Sequence, residues 1–118
     1  MERRDYEKLK IGDTVYLFKI ETSFSAHRVI FGVAVVLKKT GDDEFKVTQI
    51  INGRYFKVGD TVNINDTYWK SKFRTLNLYK SLEEGVEEWN RTVRNAEDRL
   101  QHFYENAKKG LTKRLIEI

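Results

Sequence analysis

A basic and aromatic stretch, Tyr68-Trp-Lys-Ser-Lys-Phe-Arg74, holds the residue types best suited to binding a ligand. Aromatic rings stack on nucleobases and cationic side chains neutralise phosphate, so their interleaving suits a nucleotide or a single-stranded nucleic acid. On an ordinary strand, however, alternation would send Trp69 and Phe73 to one face and the cations to the other. The predicted ligand-binding residues of this region are Trp69, Lys70, Lys72, Phe73, Arg74 and, from the neighbouring sheet, Arg54.

Arg91 and Arg94 are two further candidate ligand residues, on outward positions of a predicted C-terminal helix. If that helix lay across the sheet of a neighbouring subunit, the two guanidinium groups would close a phosphate pocket at the interface. The alternative is a solvated ion pair, because Glu87 stands four residues before Arg91 at a favourable helical spacing.

The other polar residues form no catalytic or metal-binding pattern. The chain has two histidines, His27 and His102, and no cysteine, whereas a metal site needs several converging ligands. Ser23 and Ser25 lie near His27 but lack the elbow motif and the oriented third member of a nucleophilic triad. The sequence therefore predicts a protein that is not an enzyme and that holds no metal or cofactor.

Length and charge narrow the remaining classes. The 118 residues suit one domain, 1–118, and carry 22 basic against 18 acidic side chains. The excess lies in residues 1–80, with 15 basic and 10 acidic side chains, whereas residues 81–118 carry 7 and 8. Such a balance favours anionic partners, although it also fits an ordinary soluble protein. With neither a signal peptide nor an apolar run of membrane-spanning length, the expected location is the cytoplasm.

Short apolar runs bounded by Gly, Asp and Asn predict a β-rich region over residues 9–79. Asn52-Gly53 predicts a type I′ hairpin, Thr40 to Asp43 a looser turn, and Gly32 a bulge or bend that curls the sheet. The predicted strands are Thr14 to Ile20, Arg28 to Lys38, Glu44 to Ile51, Arg54 to Lys57, Thr61 to Ile64 and Phe73 to Leu78.

One hexapeptide, Lys10-Ile-Gly-Asp-Thr-Val15, recurs almost unchanged as Lys57-Val-Gly-Asp-Thr-Val62. Two such short matches indicate repeated turn chemistry, a Gly-Asp turn delivering Thr-Val into a strand, rather than a duplicated domain. With five or six short antiparallel strands and these Gly-Asp-x-Val entries, residues 9–79 resemble the SH3-like small barrels. The predicted fold class is therefore α+β: a small curled antiparallel SH3-like β-barrel followed by one long C-terminal amphipathic helix.

The helix is predicted over residues 81–109. Ser81-Leu-Glu-Glu84 has capping-box spacing at its start, and Lys108-Lys109-Gly110 supplies cations and a left-handed C-cap at its end. Its apolar residues follow an unbroken period of about 3.5 residues, which suggests a helical partner. We call these positions the heptad seam: Leu82, Val86, Trp89, Val93, Ala96, Leu100, Phe103 and Ala107.

Helix length also favours self-association. At about 1.5 Å per residue the predicted helix spans about 43 Å, whereas a compact unit of about 70 residues is about 28 Å across. Part of the seam must overhang, covered either by a second copy or by residues 111–118 folding back beneath it, although the flanking positions are poorly charged for a self-sufficient coiled coil. We predict a homo-oligomer with the interface residues Val86, Trp89, Val93, Ala96, Leu100 and Phe103.

The passage from Phe73 to Glu84, FRTLNLYKSLEE, joins a last strand directly to a helix start, and after the Gly-Asp-x-Val barrel it resembles many small phage-encoded proteins. Some relatives of that style are counter-defence proteins, including oligomeric sponges that sequester cyclic nucleotide signals. The resemblance implies a non-enzymatic oligomer in the host cytoplasm that binds a phosphate-bearing ligand such as a signalling nucleotide. Two alternatives stay open, namely a nucleic-acid-binding small barrel and an inhibitor of a host protein through direct contacts.

Overall fold

The chain is an α+β protein, built from an open antiparallel sheet and one long C-terminal helix. The structure, a computed structural model, describes residues 1–23, 28–64 and 73–113. Its elements in chain order are α1 (Arg3–Glu7), β1 (Thr14–Ser23), β2 (Arg28–Gly41), β3 (Glu44–Asn52), β4 (Thr61–Asn63), a 3₁₀ turn (Thr75–Asn77), β5 (Leu78–Tyr79) and α2 (Leu82–Lys113).

The five strands lie side by side in the order β4-β3-β2-β1-β5, and every neighbouring pair is antiparallel. Among the described residues no ladder joins β4 to β5, so the sheet seen here is open and the predicted barrel closure stays a prediction. The β1–β2 register shifts between Glu21 and Thr22, close to the predicted irregularity, while Gly32 itself stays paired with Ile20.

Alternate strand residues pack on one face of the sheet, which we call the inner face, and form the main core. Tyr6 of α1 joins this core, and its hydroxyl donates a hydrogen bond to the Asp43 carboxylate in the β2–β3 turn. The nitrogen of Met1 donates to the carbonyl oxygens of Thr75 (3.0 Å) and Leu78 (2.7 Å), which fixes the chain start beside β5. The fully buried members are Val15, Leu17, Val33, Val35, Leu37, Phe45, Val47, Ile64 and Leu78.

The opposite, outer face receives α2, which contacts β1, β2 and β5. Phe18 of β1 packs on Gly85, so closely that no β-carbon would fit at residue 85. Trp89, one turn later, lies on Gly32, and its ring stands edge-on to that of Phe18 at a centroid distance of 6.2 Å. Two rings therefore meet two glycines, which lets the helix approach the sheet closely.

The start of α2 agrees with its predicted cap, because the Ser81 hydroxyl accepts a hydrogen bond from the Glu84 amide at 3.3 Å. The predicted end at Lys109 is not observed. The helix continues through Gly110 to Lys113, so residues 111–113 do not fold back beneath the seam. A single interior glycine costs only about 1 kcal/mol relative to alanine, which a long helix tolerates.

Two predicted β-features take another form. Asn52 ends β3, paired with Ala34, and Gly53 (φ +93°) leads into an irregular segment, so the type I′ hairpin and the strand Arg54 to Lys57 are absent from this described part of the chain. The predicted strand at residues 73–78 is a 3₁₀ turn followed by the short β5.

The repeated hexapeptides do form the same turn, as the sequence predicts. Gly12 and Gly59 both have φ +97°. In each turn the aspartate accepts a hydrogen bond from the lysine amide three residues earlier, Asp13 from Lys10 and Asp60 from Lys57, both at 2.8 Å. Local turn chemistry therefore repeats at two places in one sheet.

The overall shape is elongated. The Cα radius of gyration is 19.1 Å, against about 13 Å for a compact domain of about 100 residues, and the longest principal extent is 74 Å. No helix in the described ranges is long and apolar enough to cross a membrane.

Candidate ligand-binding site

Four rings on the inner face form what we call the aromatic cluster: Phe31, Tyr55, Phe56 and Phe73. The Phe31 and Tyr55 centroids are 5.2 Å apart at 78°, and those of Tyr55 and Phe73 are 6.0 Å apart at 70°. Phe73 is buried, whereas Tyr55 is 51% exposed. The cluster therefore closes one end of the core and also presents an aromatic ring to solvent.

The local sequence explains how these rings meet. Phe31 lies on the inner face of β2, in phase with Val33. Gly53 passes so close to the backbone of Gly32 that a β-carbon at residue 53 would collide with the Gly32 carbonyl oxygen. The positive φ of Gly53 then turns the chain toward the core, where Tyr55 and Phe56 reach Phe73, with Phe56 and Phe73 centroids 5.6 Å apart.

Lys19 places a positive charge at this cluster. Its ammonium nitrogen is 5.6 Å from the centroid of the Phe73 ring and 3.3 Å from Oε1 of Glu21, and its side chain is only 19% exposed. A cation over a ring, next to a half-exposed tyrosine, suits a planar anionic ligand. The competing explanation is structural, since the Glu21 carboxylate already pairs the Lys19 charge.

The structure brings only part of the predicted basic and aromatic stretch to this place. Phe73 is a core ring, and Arg74, which follows it, is half-buried with its backbone N–H donating to Oδ1 of Asn77 at 3.0 Å. Arg54 is exposed and precedes Tyr55 in the chain. Three predicted ligand residues lie outside the described residues: Trp69, Lys70 and Lys72.

Arg91 and Arg94 are exposed on α2, which covers the outer face, so one chain does not bring them to the aromatic cluster. Arg91 makes the predicted pair with Glu87 at 3.8 Å and a shorter contact with Glu88 at 2.7 Å. Nearby, burial raises the pKa of the Tyr79 hydroxyl, and the Glu88 charge raises it further while Arg91 acts in the opposite sense.

The heptad seam divides into two parts along α2. Trp89 packs on the chain's own sheet, and Val86, Val93, Ala96 and Leu100 are half-buried. Farther along, Phe103 is 48% exposed and its neighbour Tyr104 is 66% exposed. The proximal seam thus serves the fold, whereas the distal seam presents apolar surface.

Sequence reasoning did not identify Lys19 as a site residue or Gly85 as a packing residue. It also did not predict that Gly32 makes room for the Trp89 ring. Lys19 did leave a signal, because it interrupts the inner-face alternation that begins Val15, Leu17. The pairing of Gly85 with Phe18 leaves no comparable local signal, since it joins residues far apart in the chain.

In the described parts of the chain, no group of three or more His, Cys, Asp or Glu side chains is placed to hold a metal ion. No protein-family model, curated protein or solved structure matches this chain.

Proposed function

We propose that this chain is a non-enzymatic binding protein that forms homo-oligomers through the distal part of α2, residues 97–113, and binds a phosphate-bearing ligand at the aromatic cluster. The observation that carries the proposal is how far α2 extends beyond its closest contacts with the sheet. Its contacts with the sheet at Gly85 and Trp89 lie in its first turns, and from Trp89 to Lys113 it extends by about 36 Å.

A second copy is the occupant that suits this surface best. The seam keeps its period of about 3.5 residues as far as Phe103, beyond the contacts made by Trp89. A helix packed only on its own sheet would not need apolar residues in that register at its far end. Exposed Phe103 and Tyr104 supply aromatic area, which interfaces use as anchors.

Ligand binding is supported by the aromatic cluster with Lys19, and by the neighbouring cations Arg54 and Arg74. The narrower form of the proposal, drawn from the resemblance to phage-encoded proteins, is an SH3-like protein that acts in the host cytoplasm and sequesters a signalling nucleotide to counter defence. An inhibitor of a host protein would use the same distal helix for a different partner.

Self-association is tested by light scattering on the full chain at micromolar concentration. We expect a dimer or higher for the wild type, and a shift to monomer for Leu100→Asp. Asn95→Asp is the matched control, because it adds the same charge at an exposed position of α2 outside both the seam and residues 97–113. A monomeric wild type contradicts the proposal, as does dissociation by both variants alike.

Ligand binding is tested by native mass spectrometry of the protein purified from its own host, followed by calorimetry with ATP and a cyclic dinucleotide as probes. Arg74→Gln should weaken binding of a phosphate-bearing probe roughly tenfold, the effect of losing one charged hydrogen bond. Arg3→Gln is the control, with the same charge change on α1. Equal affinity for the Arg74→Gln variant and the wild type would remove the aromatic cluster as the site.

A further inference from the structure

The two repeated turns are related by a local two-fold axis. Gly12 N–H donates to the carbonyl of Lys39 at 2.9 Å, and Gly59 N–H donates to that of Val47 at 2.8 Å. In return, Lys39 N–H donates to the carbonyl of Asp13 and Val47 N–H to that of Asp60, both at 2.9 Å. Each turn thus joins the β2–β3 hairpin in the same way, from opposite sides.

The axis passes between Lys38 and Lys46, which are directly paired across β2 and β3. On one side Lys38 pairs with Thr14, and on the other Lys46 pairs with Thr61. These four residues alternate with buried inner-face residues, so they share the outer face, and all four are exposed. We call them the lysine row: Thr14, Lys38, Lys46 and Thr61.

The two central ammonium groups repel each other, because like charges directly opposite on a sheet are destabilising. Neither forms an ion pair with any residue in the described ranges. Glu44, two residues before Lys46 on the same strand, accepts a hydrogen bond from the Thr40 hydroxyl at 3.1 Å. The row therefore keeps its positive charge at some cost to the fold, which a bound anion would offset.

We infer that the lysine row binds the sugar-phosphate backbone of a single-stranded nucleic acid. The row is about 14 Å long, three strand spacings of about 4.8 Å, and it places two ammonium groups between two hydroxyl groups on an exposed sheet surface. Such a surface suits a polyanion, and the threonine hydroxyls at its ends can donate to phosphate oxygens.

The row lies outside the part of the outer face that α2 contacts most closely. The closest contacts of α2 with the sheet are at Phe18, four residues after Thr14, and at Gly32, six residues before Lys38, so the helix leaves the row accessible. The row crosses the four strands in one line, which a single phosphate backbone can follow, whereas a duplex presents two backbones. This surface is separate from the aromatic cluster, which lies on the inner face, and it does not depend on self-association.

Fluorescence anisotropy with a labelled oligothymidylate of about twelve nucleotides tests the inference on the full chain. Removing two phosphate contacts from a single strand should reduce the slope of log affinity against log salt by about 1.4 in magnitude. We expect the double variant Lys38→Gln/Lys46→Gln to show this reduced slope and to bind the oligonucleotide roughly tenfold more weakly at about 50 mM salt. Lys8→Gln/Lys10→Gln, with the same net charge, should change the affinity less than twofold.

Stability and a second probe separate the possible outcomes. The Lys38→Gln/Lys46→Gln variant should melt no lower than the wild type, since it loses a repulsion, so lost binding will not reflect unfolding. Absence of wild-type binding at low salt, an unchanged slope, equal loss in the control variant, or tighter binding of a duplex each overturns the inference. The Arg74→Gln variant should keep oligothymidylate binding, so failure of the aromatic-cluster site and of the lysine row are distinguishable.

Discussion

The indole of Trp89 lies directly on the backbone of Gly32, where an added β-carbon would stand 2.8 Å from the indole Cη2. The reciprocal contact joins Phe18 of the sheet to Gly85 of the helix. Since both glycines receive a ring, helix and sheet interlock through two large and two absent side chains. Substitutions at these four positions should therefore have effects that local propensity does not predict.

Gly85→Ala should destabilise the protein, although alanine is the better helix former. Helix propensity gains about 1 kcal/mol, but forcing a methyl group into the Phe18 ring costs about 1–3 kcal/mol. We expect a net loss of about 1 kcal/mol in the free energy of unfolding, measured by urea denaturation.

Asn90→Ala is the control for this substitution, because Asn90 is exposed on the same helix. It should be neutral or slightly stabilising, by about 0.5 kcal/mol. Phe18→Leu should make Gly85→Ala less costly than it is in the wild type. Stabilisation by Gly85→Ala alone would show that the ring does not limit the approach of α2.

Trp89→Ala and Phe103→Ala should differ in how their effects depend on protein concentration. The Trp89 contacts are within one chain, so truncation should cost about 3 kcal/mol at any concentration. The Phe103 ring, if it joins a second copy, stabilises only the oligomer, so its truncation should lower the melting temperature of the assembled protein and leave the dilute monomer unchanged. Melting curves recorded over a roughly hundredfold range of protein concentration check this contrast.

The strands that begin at Thr14, Arg28, Glu44 and Thr61 could be predicted because the sequence signals for them are local. Alternation of apolar and polar residues determines which face is buried, and Gly-Asp turns mark where strands begin. Residues 54–57 could not, because their conformation depends on distant rings. The Tyr55 ring packs on Phe31 and the Phe56 ring on Phe73, at centroid distances of 5.2 and 5.6 Å. These contacts join segments far apart in the chain, and the local turn preference of Asn52-Gly53 carries no information about them.

The heptad seam shows a second limit of local patterns. Its period correctly indicates one apolar face on α2, yet the period is the same whether a position packs on its own sheet or on another chain. At the proximal end the packing partner is the chain's own sheet, because Gly85 is buried against Phe18. Within the candidate site, the ring of Phe73 and the charge of Arg74 were predicted, whereas Lys19 was not, because its approach to Phe73 depends on how the segments pack.

Asp13→Ala and Asp60→Ala should destabilise the protein by similar amounts, about 1 kcal/mol each, because each removes one hydrogen bond to a backbone amide. The two changes should add, since the turns lie on opposite sides of the β2–β3 hairpin and share no partner. Asp13→Asn and Asp60→Asn keep an acceptor oxygen and should recover most of the loss. Urea denaturation of the four single variants and of the two double variants, Asp13→Ala/Asp60→Ala and Asp13→Asn/Asp60→Asn, measures these losses. Clearly unequal losses of unfolding free energy at the two sites would contradict the structural equivalence of the turns.

The contact between Asp5 and Lys80 should make stability depend on pH in the acid range. Lys80 Nζ lies 3.0 Å from Asp5 Oδ1, and this hydrogen bond, with the surrounding positive charges, holds the pKa of Asp5 below its usual value of 3.8. Because the folded pKa is the lower one, the contact stabilises the fold above the usual pKa of the carboxyl group. That contribution is lost as the pH falls through the folded pKa.

Lys80→Gln should therefore lower stability at neutral pH and lose its effect in strong acid, where Asp5 is protonated in both states. Asp5→Asn should produce the same pattern, and the double variant should add nothing further, because both changes remove one interaction. Lys57→Gln is the control, since it removes the same charge at a site with no contact to Asp5. Urea denaturation across the acid range checks the result, and a Lys80→Gln effect that persists unchanged below the folded pKa of Asp5 would show that Lys80 acts through packing instead of through this carboxylate.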